Sequence, residues 1–141
     1  MSWFFKEKSD QKFQPLELSI TTLFIHAARL DDNYSEIEKK TIVQCLQKLG
    51  IADKSYIQEL IRECEVLETN SNQILHLTQE IKKVSYPERL KIIEMLVEII
   101  YADKKLDSFE DNLIRRVAGL IYIESADMGA IRINIKKKLN L

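Results

Sequence analysis

Four acidic residues that could bind a cation recur in this chain at one spacing. Asp31 and Glu38 lie seven residues apart, and Asp103 and Glu110 repeat that pair at an offset of 72 residues. Each aspartate is expected at the C-terminal end of a helix, where unpaired carbonyl groups and the helix dipole already concentrate negative charge. Ca²⁺ and Mg²⁺ take clustered carboxylate and carbonyl oxygens as ligands. The pattern therefore predicts a divalent-cation site at the acidic loops, with Ca²⁺ or Mg²⁺ favoured over Zn²⁺.

A purely structural interpretation of the same residues stays open. Each aspartate can accept the backbone N–H two residues further on and form an Asx turn. Ser35 with Glu38, and Asp107 with Glu110, have the spacing of a capping box, in which the two residues bond each other's backbone at a helix start. The first loop also lacks the sixth-position glycine and the twelfth-position glutamate of an EF-hand.

The other titratable residues supply no catalytic constellation. The 72-residue offset pairs His26 with Glu98, so these two are expected to meet as a pair or ligand set, with a satisfied core histidine as the alternative. Glu94 and Glu98 lie one turn apart on an apolar helix, and the candidates for their cationic partners are Arg115 and Arg116. The sequence has no glycine-rich phosphate loop and no nucleophile elbow. We therefore predict that the protein is not an enzyme.

The composition is typical of a helix-rich globular protein without affinity for nucleic acid. The 141 residues are 45% hydrophobic and 30% charged, and a formal net charge of −1 leaves no excess of cations for phosphate backbones. Cys45 and Cys64 lie on apolar helix faces without metal-ligand spacing, so we expect reduced core thiols in a cytoplasmic protein. No apolar run approaches the roughly 18 residues that would span a bilayer. We expect an unidentified protein partner, and the oligomeric state stays open.

Seven helices and no strand are predicted. Apolar residues recur at helical spacing throughout, and start signals such as Pro15, Ser55 and Ser85 mark where individual helices begin. Residues 15–141 therefore form one helical domain. Residues 1–14 form an N-terminal arm, and docking on the body, contact with a partner and peripheral contact with a membrane surface all stay open for its aromatic residues. These aromatic residues are Trp3, Phe4 and Phe5.

The two halves of the chain repeat each other. The only prolines, Pro15 and Pro87, align at the 72-residue offset, as do two helices that are apolar almost all round and the two acidic loops. We infer two pseudo-symmetric three-helix repeats, over about residues 15–69 and 87–139, joined by a linking helix over about residues 72–84. The first helix of each repeat is too apolar to face water, so these two helices should pair at the centre of the bundle.

These repeated elements resemble the tellurite-resistance TerB-like family, whose helical fold the N-terminal domain of the DjlA co-chaperone shares. The likeness covers residues 15–138 and is most specific over residues 94–103 and 109–120. The family usually has glycine directly after the aspartate, where this chain has Asp32 and Lys104. The resemblance implies a seven-helix bundle, an association with bacterial stress and tellurite resistance, and a cation site at the acidic residues.

Two functions are therefore expected as alternatives. The first is a non-enzymatic TerB-like module in bacterial stress or tellurite resistance that binds a divalent cation through Asp31, Glu38, Asp103 and Glu110. The second is a pure protein–protein interaction adaptor, in which those residues act only as turns and caps. Stabilisation of the fold by a cation distinguishes the first from the second, because only a bound ion stabilises the native state by mass action.

Overall fold

The structure, a computed structural model, describes residues 12–30, 34–70, 74–102 and 108–141, without the side chains of Ser108 and Phe109. Within these ranges the chain is all-α, as predicted, with seven α-helices, one short 3₁₀ helix and no strand. The helices are α1 (Pro15–Ala28), α2 (Glu36–Lys48), α3 (Lys54–Asn70), α4 (Ile74–Thr78), α5 (Tyr86–Tyr101), α6 (Ser108–Leu120) and α7 (Ser125–Lys138). None of the described helices combines the length and apolar character needed to cross a bilayer.

Short polar motifs fix where the helices begin. At the predicted start of α5, the Ser85 hydroxyl donates to Glu88 Oε1 at 2.7 Å and accepts from the Glu88 N–H, and these bonds form a capping box. The third helix starts earlier than its predicted cap at Ser55, because the carboxylate of Asp53 accepts the Ser55 N–H at 2.9 Å. Aspartate is a strong cap for the first turn of a helix, so α3 begins at Lys54.

The segment between the predicted repeats is not one continuous helix. The prediction placed a linking helix over about residues 72–84, whereas the structure has the short α4 and then a 3₁₀ helix over Ile81–Lys83. The Thr78 hydroxyl donates to the Leu75 carbonyl at 3.0 Å, which offers the backbone an alternative to the helical ladder. Helix α4 therefore ends after five residues.

Helices α1 and α5 form the centre of the bundle and contact each other, as predicted from their apolar character. Helix α1 also packs against α2, α3 and α4, and α5 packs against α2, α6 and α7. The side chains at the centre are fully buried: Ile20, Leu23, Phe24, Ile25, Ile92, Ile93, Leu96, Val97, Ile99 and Ile100. Burying side chains of this size is the main favourable contribution to folding, at about 1.5–3 kcal/mol each. The two-repeat pseudo-symmetry itself stays a prediction.

Helices α2 and α6 end in the same way. After α2, Gly50 adopts φ 108°, and the Ile51 N–H donates to the Leu46 carbonyl at 3.1 Å. After α6, Tyr122 adopts φ 60°, and the Ile123 N–H donates to the Ala118 carbonyl at 2.9 Å. Both ends are Schellman motifs, in which a left-handed residue lets the chain satisfy the last carbonyls of the helix. The left-handed residue is glycine in the first case and tyrosine in the second.

Candidate metal centre

Two of the four predicted cation ligands lie in the described part of the chain. Glu38 and Glu110 are the third residues of α2 and α6, and their exposed fractions are 0% and 1%. Asp31 and Asp103 lie outside the described residues. The predicted convergence of each aspartate with its glutamate is therefore not tested by the structure, but the two glutamates occupy equivalent positions on their helices and both are buried.

Glu38 forms the capping box that the sequence predicted. Its Oε1 accepts the Ser35 N–H at 3.0 Å and the Ser35 hydroxyl at 3.1 Å, while the Glu38 N–H donates to Ser35 Oγ at 3.2 Å. These bonds, together with the positive end of the helix dipole, offset part of the cost of burying the carboxylate. Glu38 is therefore a structural cap whatever else it binds.

Tyr34 lies next to this cap between two cationic side chains. The guanidinium of Arg29 lies 5.1 Å from the centre of the Tyr34 ring, and the ammonium of Lys39 lies 4.7 Å from it. Both are cation–π contacts. Burial, and next the nearby carboxylate of Glu65, raise the pKa of the Tyr34 hydroxyl above its ordinary value. The start of α2 is thus surrounded by the buried carboxylate of Glu38, the neutral phenol of Tyr34 and two cationic side chains.

His26 does not meet Glu98, so that prediction is wrong. His26 Nδ1 lies 3.2 Å from Glu68 Oε2, and Arg29 donates to the other Glu68 oxygen at 2.6 Å. The cause is the packing of α1 against α3, which brings the polar edge of α1 to the C-terminal part of α3. His26 on α1 therefore pairs with a residue of α3.

The carboxylate of Glu98 has lysine partners, and the predicted pairing with Arg115 or Arg116 is also wrong. Lys138 donates to Glu98 Oε1 at 2.6 Å, and the Lys48 ammonium lies 3.7 Å from the same oxygen. Glu94, one turn earlier, is exposed. Glu98 therefore ties α5 to the ends of α2 and α7.

Arg115 on α6 and Arg132 on α7 share one carboxylate, that of Asp111 on α6. Asp111 binds Arg132 and lies 3.1 Å from Arg115. The hydrogen bond from Arg132 holds the pKa of the Asp111 carboxyl below its ordinary value, because the bond is made to the charged form. Neither this pair nor the Glu98 cluster resembles a set of metal ligands, since each carboxylate is already neutralised by a cation.

The cysteines are buried thiols, as predicted. Neither Cys45 nor Cys64 forms a disulfide, and burial raises the pKa of each thiol to about 12. A thiol with that pKa supplies almost no thiolate for metal binding or nucleophilic attack near neutral pH. Across the described ranges, no three His, Cys, Asp or Glu side chains are grouped so that they could hold a metal ion. Any cation site of the predicted kind must include the acidic loops themselves.

Two features of this region were not predicted from the sequence. Tyr34, between Arg29 and Lys39, could have been suspected because an aromatic residue directly precedes the Ser35 cap. The second feature is the lysine pair on Glu98, which joins residues from three helices and carries no local signal.

One protein-family model matches a stretch of this chain that includes both acidic loops. The model of the family described as "Tellurite resistance protein TerB" matches residues 17–133, which is most of the chain and includes all four predicted ligands. No curated protein and no solved structure matches the chain.

Proposed function

This chain belongs to the tellurite resistance TerB family, and we propose that it is a non-enzymatic helical module that binds a divalent cation at its acidic loops. The proposed ligands are Asp31 and Glu38 in the first loop region and Asp103 and Glu110 in the second. The cation is Ca²⁺ or Mg²⁺, because every proposed side-chain donor is a carboxylate oxygen. The module acts in the bacterial cytoplasm, in tellurite resistance or another stress response.

The observation that carries this function is the burial of Glu38 and Glu110 at the third position of α2 and α6. A buried carboxylate costs free energy unless hydrogen bonds or an opposite charge stabilise it. The helix N-terminus stabilises a carboxylate at this position through its partial positive charge. A hard cation would add a full positive charge, and the sequence has an aspartate seven residues before each of the two buried glutamates.

One specific observation favours the adaptor as the second candidate. Glu38 Oε1 already accepts two hydrogen bonds from Ser35, so this oxygen is used by the capping box. In an adaptor, the glutamates would only start the helices, and the protein would act through surfaces that bind another protein. The two functions differ in one measurable property, which is whether a cation stabilises the fold.

Thermal melts of EDTA-treated protein with added Ca²⁺, Mg²⁺, Mn²⁺ or Zn²⁺ test the cation site. A ligand present at 100 times its dissociation constant stabilises the native state by about 2.7 kcal/mol. For a chain of this length that corresponds to a rise in Tm of about 5–10 °C. The same melts are run on Asp31→Asn and Asp103→Asn, in which the loop loses a charged ligand.

Asp53→Asn is the matched control. Asp53 is not one of the proposed ligands; it stands at the start of α3 and accepts a backbone N–H, and asparagine keeps that capping ability. We expect Ca²⁺ or Mg²⁺ to raise the Tm of the wild type and of Asp53→Asn equally, and to raise it less in one or both loop variants. If no cation raises the Tm of the wild type, the cation site is wrong and the adaptor becomes the preferred function.

A further inference from the structure

An open groove with a volume of about 540 Å³ lies between the outer faces of α2 and α3. A short connection joins α2 to α3, and residues along both helices line the groove. Near its far end, Glu65 of α3 interacts with the hydroxyl of Tyr34, which lies just before α2. The apolar floor of the groove consists of Val43 and Ile61, which are half-buried and packed against the core. The amides of Gln44 and Gln58 stand on either side of it and can donate hydrogen bonds.

The rim of the groove carries an excess of positive charge. Four cations, Lys39, Lys40, Lys54 and Arg62, line it with two carboxylates. Both carboxylates already have a partner, because Glu36 lies 3.9 Å from the Lys39 ammonium and Glu65 interacts with the hydroxyl of Tyr34. The described part of the chain offers no carboxylate within ion-pair distance of Lys40, Lys54 or Arg62. The chain as a whole has a net charge of −1, so this excess is local.

The length of the groove corresponds to a short helix. Its lining residues on α3 run from Lys54 to Glu65, and those on α2 from Glu36 to Gln47. At 1.5 Å per residue each wall is about 16 Å long, which matches about three helical turns. A helix in a groove of this kind places apolar residues on the floor and polar residues along both edges.

We propose that the α2–α3 groove binds an acidic amphipathic helix of a partner protein. Apolar side chains of that helix pack on Val43 and Ile61, and its carboxylates pair with Lys40, Lys54 and Arg62. The apolar floor favours a protein over a nucleic acid, whose backbone would be bound mainly by cations. The concave shape favours it over a flat membrane surface. This interaction does not depend on the proposed cation site, which involves the acidic loops.

Nuclear magnetic resonance with ¹⁵N-labelled protein tests the groove. The probe is a synthetic 15-residue helical peptide with leucine at every third or fourth position and glutamate beside it. A second peptide with glutamine in place of glutamate is the uncharged control. We expect the acidic peptide to shift the backbone amides of residues 39–47 and 54–62. We also expect it to bind at least about tenfold more tightly than the uncharged peptide, with the difference reduced at high salt.

Two variants with the same charge change decide whether the acidic peptide binds in the groove. Arg62→Glu reverses a charge on the rim, whereas Arg116→Glu reverses a charge on an exposed arginine in the middle of α6. We expect Arg62→Glu to weaken binding about fivefold or more, because it removes one charge pair and adds a repulsion. Arg116→Glu should stay within about twofold of the wild type, a difference too small for a lost charge pair.

Several results would overturn the groove assignment. They are an absence of shifts at millimolar acidic peptide, equal losses in the two variants, and stronger binding of an RNA duplex or of phosphatidylserine vesicles to the same residues. A failed peptide titration leaves the cation melts unaffected, and failed cation melts leave the titration unaffected. The two outcomes are therefore distinguishable.

Discussion

Replacing Tyr122 by glycine should stabilise the protein. Tyr122 has φ 60°, in the left-handed region where the Cβ of an L-residue is crowded by its own backbone. The equivalent end of α2 has glycine, at position 50, which has no Cβ. The side chain of Tyr122 is 66% exposed, so its removal sacrifices little buried surface. The exchange therefore removes backbone strain at small cost in packing.

The expected gain is the difference between two opposing terms. The left-handed conformation costs an L-residue about 1–2 kcal/mol, and glycine loses an extra 0.5–1 kcal/mol of conformational entropy on folding, as an order-of-magnitude value. The net stabilisation is about 0.5–1 kcal/mol, or about 1–4 °C in Tm for a chain of this size. The reverse change, Gly50→Ala, should cost about 2 kcal/mol, because φ 108° is unfavourable for any residue with a Cβ.

Urea denaturation followed by circular dichroism measures both changes, and Tyr122→Ala is the control. Alanine removes the ring but keeps the strained backbone, so Tyr122→Ala should be no more stable than the wild type. Equal stabilities for the glycine and alanine variants would refute the backbone argument. A loss of stability in Tyr122→Gly would show that contacts of the ring outweigh the strain.

Three further measurements test the capping, ionic and thiol features. Ser35→Ala should lower the free energy of unfolding by about 1–2 kcal/mol in urea melts, because the buried capping box loses both hydroxyl bonds; a change below about 0.3 kcal/mol would contradict this. The hydrogen bond from Arg132 holds the pKa of Asp111 below its ordinary value of 3.8. The contribution of Asp111 to stability is therefore complete above pH 3.8 and is lost as the pH falls through the lowered pKa. Asp111→Asn should therefore be about 1 kcal/mol less stable than the wild type at pH 7, and this difference should shrink as the pH falls below 3.8; a pH-independent difference would contradict the ion pair. Cys45 and Cys64 should react with an aromatic disulfide reagent at pH 8 only in denaturant, because burial raises the pKa of both thiols to about 12; rapid reaction of the native protein would contradict their burial.

Most of the fold could be predicted because its signals are local. The helical spacing of apolar residues identified the buried faces of α1 and α5, and the serines at positions 35 and 85 identified two helix starts. The break after α4 was missed because threonine also occurs inside helices, so its residue type alone does not announce the bond from the Thr78 hydroxyl to the Leu75 carbonyl. The start of α3 was assigned to the wrong one of two neighbouring capping residues.

The candidate site was predicted less completely, because tertiary contacts decide which charges meet. Alignment of the two repeats paired His26 with Glu98. In the structure His26 contacts Glu68 instead, and Glu98 accepts a hydrogen bond from Lys138. Such partners depend on how helices pack and leave no trace in sequence spacing. The α2–α3 groove was missed for the same reason, since its cations lie on two helices and only the packing of those helices brings them to one rim.

Isothermal titration calorimetry of EDTA-treated protein with Ca²⁺ and with Mg²⁺ tests the proposed cation site most directly. We expect saturable binding by the wild type that is weakened in Asp31→Asn or Asp103→Asn and unchanged in Asp53→Asn. We also expect Zn²⁺ to bind no more tightly than Ca²⁺ or Mg²⁺, since the donors are oxygen atoms. Absence of saturable binding, or binding that both loop variants retain in full, would contradict the proposed cation site.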